Sequence, residues 1–158
     1  MKIRLAKPED IADIHRLIYE LAVYEKAPEQ MVATVDQINQ SLFKDNPVAF
    51  AHVAEVDGQI VGIALWFLNY STWLGKPGIY LEDLFVQPEY RGHGIGKGFM
   101  TTLAQLCTER GYERFQWWVL DWNEPSIEFY KSLGAVPMDE WTVFRLSGGA
   151  LKKFANEG

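Results

Sequence analysis

Cysteine is nearly missing from this chain of 158 residues, Cys107 being the only one. A lone thiol excludes an internal disulfide and any cysteine-built metal centre, and it fits a reducing compartment. Long apolar runs are missing too. The longest, Ile60 to Leu68, has nine residues, well short of the roughly 18 that a spanning helix needs, so no membrane partner is expected. The opening Met1-Lys2-Ile3-Arg4-Leu5 lacks the apolar core of a secretory leader, and the expected location is cytoplasmic. Basic charge is in deficit. Fifteen Lys and Arg against 21 Asp and Glu leave a net charge of -6. That balance disfavours a phosphate-backbone ligand, so no nucleic acid is expected, and it suits a cationic small molecule. His15, His52 and His93 are scattered without ligand spacing, so no metal is expected.

What remains is an ordinary globular composition, 48% hydrophobic and 23% charged, in a length that reads as one domain over residues 1–158. Lys2–Ala6 reads as a strand. Pro8-Glu9-Asp10 opens a helix along which Ile11, Ile14, Leu17 and Leu21 recur at helical spacing. Thr34 and Gln37 have the spacing of a capping box, heading a second helix through Val35, Ile38 and Leu42. Ala49–Val56 and Gln59–Leu68 are strand-like and joined by Asp57-Gly58, a strong hairpin signal. Ile79–Val86 is a further strand. A helix carrying Phe99, Leu103 and Cys107 follows, and Gly111 ends it. Arg114–Leu120 reads as a strand, Asn123 caps a helix running to Leu133, and Trp141–Leu146 reads as a last strand. The order predicts an α/β (α+β) fold with one mixed, mostly antiparallel sheet and helices on its faces.

The densest signal is Arg91-Gly92-His93-Gly94-Ile95-Gly96-Lys97-Gly98, between a strand and a helix. Backbone N–H groups there can converge on a phosphate, and the helix dipole favours negative charge. Two familiar phosphate loops fail on spacing. A dinucleotide fingerprint starting at Gly92 or Gly94 would need its last glycine where Lys97 or Phe99 stands. A Walker loop would need glycine at Arg91 and Ser or Thr at Gly98. Charge agrees with an anion site: residues 87–120 carry a net +1 while the rest carry -7.

Arg91-x-x-Gly94-x-Gly96, placed between strand and helix, resembles the acetyl-CoA pyrophosphate loop of the GNAT (GCN5-related) N-acetyltransferases. Further segments resemble their spermidine/spermine (diamine) acetyltransferase subfamily. These are Glu20-Leu21-Ala22-x-Tyr24-Glu25, Tyr80-Leu81-Glu82-Asp83 and Trp122-Asn123-Glu124-Pro125-Ser126-Ile127-x-Phe129-Tyr130-Lys131. The resemblance implies the GNAT fold, acetyl-CoA as co-substrate, a small cationic amine as acceptor and a homodimer. It places cofactor contacts at Leu84, Phe85 and Val86, at Arg91 through Lys97 (Arg91, Gly92, His93, Gly94, Ile95, Gly96, Lys97), and at Asn123, Ser126 and Tyr130. Subfamily members also act on thialysine or lysine-like amines, so the amine stays open. A module that binds acyl-CoA without turnover is the competing class.

Acetyl transfer requires an amine to lose a proton, a thioester carbonyl to be polarised and a thiolate to be protonated. Glu82 and Asp83 are adjacent carboxylates in an otherwise apolar strand, where neighbours face opposite sides and only one enters a given cleft. A carboxylate among apolar neighbours tends to a raised pKa, which suits a general base. The resemblance assigns amine binding and the base to Glu82. On periodicity alone Tyr130 reads as a core aromatic; the resemblance makes it the acid that protonates the thiolate. Tyr24 and Glu25 match positions that contact the amine, with Trp118 and Glu140, and Trp73 and Trp117 beside them, extending that surface. Cys107 lies on the apolar stripe of its helix and reads as packing, which favours direct transfer over an acetyl-enzyme.

Overall fold

Asp57 and Gly58 sit at positive φ, 49° and 78°, the two-residue turn that their order predicts. They join strand β2 (Phe50–Val56) to β3 (Gln59–Ser71). Around this hairpin, β1 (Lys2–Leu5), β4 (Lys76–Val86) and β5 (Phe115–Trp117) complete a five-stranded sheet in the order β1-β2-β3-β4-β5. The first three pairings are antiparallel and β4 pairs β5 in parallel. The computed structural model describes residues 1–158 and divides into two compact units, Met1–Trp118, which holds the sheet, and Val119–Gly158.

Three helices belong to the first unit: α1 (Ile11–Tyr24), α2 (Val35–Phe43) and α3 (Ile95–Glu109). The predicted capping box forms at α2. The Gln37 N–H donates to the Thr34 hydroxyl oxygen at 3.1 Å, and the Thr34 N–H donates to the Gln37 side-chain oxygen at 2.9 Å. Ile14, Leu17 and Leu21 of α1 and Leu42 of α2 share a buried cluster with Val53, Ile63 and Phe85 of the sheet. Ile95, Phe99, Met100, Leu103 and Cys107 make the buried stripe of α3, which packs on β4. Trp66 is fully buried, stacked on Phe50 at 4.6 Å, and its indole N–H donates to His52 Nδ1 at 3.1 Å.

Two features of the sheet shape its functional edge. The register between β3 and β4 shifts at Leu65/Trp66: Leu65 faces Asp83, Trp66 faces Leu81, and Glu82 is the extra residue of a β-bulge. Pairing between β4 and β5 covers only Ile79–Leu81 with Phe115–Trp117. Beyond Leu81, β4 runs on to Val86 without a strand on its β5 side.

The second unit contains α4 (Glu124–Ser132) and α5 (Gly148–Asn156). Asn123 caps α4 by accepting from the Ser126 N–H at 3.4 Å, and Gly134, at φ 88°, follows its end. Three expectations change here. The strand expected over Arg114–Leu120 is confined to Phe115–Trp117. Trp141–Leu146 forms no strand. An isolated extended segment has no ladder to join, and Trp141, Val143, Phe144 and Leu146 stay exposed. Helix α5 was not anticipated, because Gly148-Gly149 at its start reads as a breaker.

Candidate active site

The glycine loop forms a backbone cradle at the start of α3. Gly92 and Gly94 adopt φ of 79° and 80°, and a Cβ at either would meet no heavy atom within 4 Å. Gly94 is the N-cap residue and supplies no side-chain cap, and the first turn holds no acidic residue. The first amide bonded back to this turn is that of Gly98, donating to the Gly94 carbonyl at 2.9 Å. The amides of Ile95, Gly96 and Lys97 therefore point out of the helix end, where a dipole and open donors suit a pyrophosphate. Ile95 itself buries its side chain and so anchors the loop. His93 is exposed, with Nδ1 3.2 Å from the Tyr90 carbonyl.

Arg91 has a second job in the structure. Its Nε–H donates to the Val86 carbonyl at 2.8 Å, and its guanidinium lies over the rings of Tyr24 and Phe85, 5.1 and 5.4 Å from their centroids. These contacts fix the loop to the end of β4 and to the C-terminal turn of α1. Leu84, Phe85 and Val86 lie in the stretch of β4 that has outrun β5, so backbone groups on that side have no strand to bond. Phe85 and Val86 bury their side chains. The open edge and the glycine cradle together fit an extended ligand with amides and a pyrophosphate.

Three carboxylates, Glu25, Glu82 and Asp83, act on one another. Glu25 follows α1 directly and is half-buried; burial, then the charge of Glu82, raises its pKa. Asp83 is half-buried, and its pKa is pushed up to about 7 by burial, then by Glu82 and Glu25. Glu82 projects from the bulge and is exposed. The apolar setting expected for both neighbours is thus met by Asp83 and not by Glu82. A bulge breaks the simple alternation of faces, which lets both carboxylates act near Glu25.

The remaining predicted residues are spread. Trp118 is exposed and edge-on to Tyr80 at 5.8 Å between ring centroids. Trp73 stands 93% exposed in the β3–β4 turn. Asn123, Ser126 and Tyr130 lie at the cap and along α4, and Glu140 is exposed in the irregular segment beyond it; these four belong to the second unit. The Tyr24–Arg91 contact was not foreseen, and no spacing rule joins a helix end to a loop so distant in sequence.

The family model for the acetyltransferase (GNAT) family matches residues 9–135. The chain belongs to the GNAT acetyltransferase family. The chain is 39% identical to a thialysine N-epsilon-acetyltransferase of Sus scrofa, over 98% of this chain and 97% of that protein. It is 34% identical to the spermidine/spermine N(1)-acetyltransferase-like protein 1 of Homo sapiens, over 99% of this chain and 24% of that longer protein. Among solved structures, an integron cassette protein from the mobile metagenome of V. cholerae matches with a TM-score of 0.82 and 25% identity, over 98% of this chain and 96% of that one. The GNAT chain is accordingly an acetyl-CoA-dependent N-acetyltransferase, with an α/β fold built on a mixed five-stranded sheet. No helix is long and apolar enough to cross a membrane.

Proposed function

We propose that this acetyltransferase moves an acetyl group to a primary amine of a small diamine or polyamine, by direct transfer in a ternary complex. The observation that carries the reading is the carboxylate group of Glu25, Glu82 and Asp83. Glu25 follows Tyr24, whose ring the Arg91 guanidinium of the glycine loop covers, and Glu82 and Asp83 stand on the strand whose Val86 carbonyl accepts from Arg91. Such a site offers negative charge to an ammonium and backbone donors to an anionic cofactor.

Acetyl-CoA supplies the activated thioester. The amides of Gly92–Lys97 hold its pyrophosphate, the free edge of β4 at Leu84–Val86 aligns its amide arm, and Asn123 and Ser126 add contacts at the start of α4. Tyr24 and Glu25 receive the amine, with Trp118 and Glu140 extending the surface; an aromatic face beside a cation contributes about 0.5–2 kcal/mol. Glu82 takes the ammonium proton, directly or through one water, so that the nitrogen lone pair can attack the carbonyl. The carbon–sulfur bond then breaks. Tyr130, whose phenol is a weak acid, gives its proton to the departing thiolate and takes back the second proton that the nitrogen sheds as it becomes the amide. Cys107 is buried, and burial raises the pKa of its thiol, which suits packing and not an acetyl-enzyme intermediate.

The Sus scrofa relative favours a second acceptor class, thialysine or a lysine-like amino acid. Pairing as a homodimer is also proposed, supported by the exposed Trp141, Val143 and Phe144 and testable by sedimentation. Thiol release from acetyl-CoA, measured against diamines, polyamines, thialysine and lysine, separates the readings. Fastest turnover with diamines or polyamines supports the first, and fastest with thialysine or lysine the second. Cofactor binding without release for any amine would leave only an acyl-CoA-binding module.

A further inference from the structure

In the segment Glu20-Leu21-Ala22-x-Tyr24-Glu25, Leu21 enters the core and Tyr24 lies under Arg91. Glu20 stands one turn before Tyr24 on the same face of α1. Its two carboxylate oxygens accept from the Gln87 side-chain amide at 3.3 and 3.2 Å. Gln87 is the first residue after β4, at the root of the glycine loop. Its own N–H donates to the Val61 carbonyl at 2.9 Å. Its carbonyl accepts from the Tyr90 N–H, also at 2.9 Å, and so starts the single 3₁₀ turn Pro88–Tyr90 that leads into Arg91. Helix α1 therefore meets the loop on two rungs, Glu20 on Gln87 and Tyr24 on Arg91.

A plain surface ion pair does not account for Glu20. Arg16 donates to it at 2.8 Å, but also to Asp13 at 2.9 Å and to the Ile60 carbonyl at 3.1 Å. Arg16 would keep those other partners without Glu20, and an exposed pair one helical turn apart adds little stability. Glu20 is half-buried beside the root of an anion-binding loop, where its charge has the wrong sign. Arg16 offsets that charge, and the carboxylate still has lone pairs for Gln87. We propose that Glu20 is a positioning residue for acetyl-CoA binding. Through Gln87 it fixes the direction in which the loop leaves β4, and with it the amides of Gly92–Lys97. The assignment rests on the reading of those amides as the pyrophosphate cradle. A loop held in place only part of the time binds its ligand more weakly, in proportion to the competent fraction. The effect therefore falls on cofactor affinity and not on the chemical step.

The test titrates the full chain with acetyl-CoA by calorimetry and follows thiol release with the amine of fastest turnover. Thermal unfolding checks that each variant is folded at the assay temperature. Glu20→Ala and Gln87→Ala should each weaken acetyl-CoA binding about three- to tenfold, the loss of one modest hydrogen bond. The KM for acetyl-CoA should rise by the same factor, with the change in KM and not in kcat. The double variant should bind no more weakly than either single one, because both remove the same contact. Glu20→Gln, which keeps an acceptor oxygen, should restore most of the affinity. Asp13→Ala, which removes only the other carboxylate on Arg16, should bind as wild type. Additive losses in the double variant, tighter binding in Glu20→Ala, an equal loss in Asp13→Ala, or a fall in kcat in place of affinity would overturn the assignment. Gly94→Ala is measured beside them. Weaker binding there, with wild-type affinity in Glu20→Ala and Gln87→Ala, sinks the positioning role and leaves the cradle. Wild-type affinity there, with non-additive losses in Glu20→Ala and Gln87→Ala, sinks the cradle and leaves the tie between α1 and the loop.

Discussion

Gly94 and Gly58 form a matched pair for separating backbone strain from cofactor binding. Their φ values are 80° and 78°, and a Cβ added at either meets no heavy atom within 4 Å. Alanine therefore introduces no clash at either site, and the cost is the left-handed conformation itself, about 1–2 kcal/mol. For a domain of this size that corresponds to a fall in melting temperature of about 2–8 °C. Gly58→Ala and Gly94→Ala should lose stability to the same degree in thermal unfolding. Cofactor affinity should then diverge. At Gly94 the new methyl stands beside the free amides of Ile95, Gly96 and Lys97, where the pyrophosphate must approach. Loss of one charge-assisted hydrogen bond corresponds to about ten- to hundredfold in acetyl-CoA affinity. Calorimetric titration with acetyl-CoA should show that loss in Gly94→Ala and wild-type affinity in Gly58→Ala. Equal affinities in the two variants would refute the cradle.

Other consequences concern chemistry and pH. Tyr130→Phe should lower turnover about 10²–10⁴-fold at saturating amine, the range for one acid–base group, and a wild-type rate would remove Tyr130 from the acid role. Asp10 receives two hydrogen bonds from Arg4, at 2.8 and 3.0 Å, and one from the Lys7 N–H at 2.7 Å. The Arg4 hydrogen bond is the largest cause of its lowered pKa. The pair's stabilisation is thus complete above the ordinary aspartate range and is lost as pH falls through and below it. Asp10→Asn should cost about 3 kcal/mol in urea unfolding at pH 7, the lower end for breaking a buried pair, because Glu55 still holds Arg4. His52 is buried and accepts from Trp66, and burial lowers its pKa. Its contribution is therefore full above about pH 6.5 and declines as pH falls below that value; His52→Gln should flatten part of the decline between pH 7.5 and 5.5.

Local signals proved most legible where neighbours in sequence supply both partners. Thr34 with Gln37, Asp57 with Gly58 and Asn123 with Ser126 each form the cap or turn that their spacing predicts, and the apolar stripes of α1 and α3 are buried as their periodicity requires. Trp141–Leu146 shows the limit. Apolar enrichment makes it strand-like, but a strand is defined by a neighbour that sequence does not name. The same limit governs the candidate site. Which of Glu82 and Asp83 is half-buried and which exposed depends on a bulge set by the register against Leu65 and Trp66, and alternation alone cannot locate it. A cavity lined by Ile18, Leu42, Leu65 and Asp83 exists only once α1, α2, β3 and β4 are in place. Arg91 was legible as a loop residue, whereas its seat between Tyr24 and Phe85 is purely tertiary.

The most direct test of direct acetyl transfer to a small amine follows the acetyl group itself. Acetyl-CoA labelled in the acetyl carbonyl is mixed with the enzyme and 1,4-diaminobutane for a single turnover, and the products are resolved by mass spectrometry. The account predicts label on the amine nitrogen, none on the protein, and a reduced rate in Glu82→Gln. Label that remains with the cofactor, appears as free acetate or accumulates on the protein would contradict it.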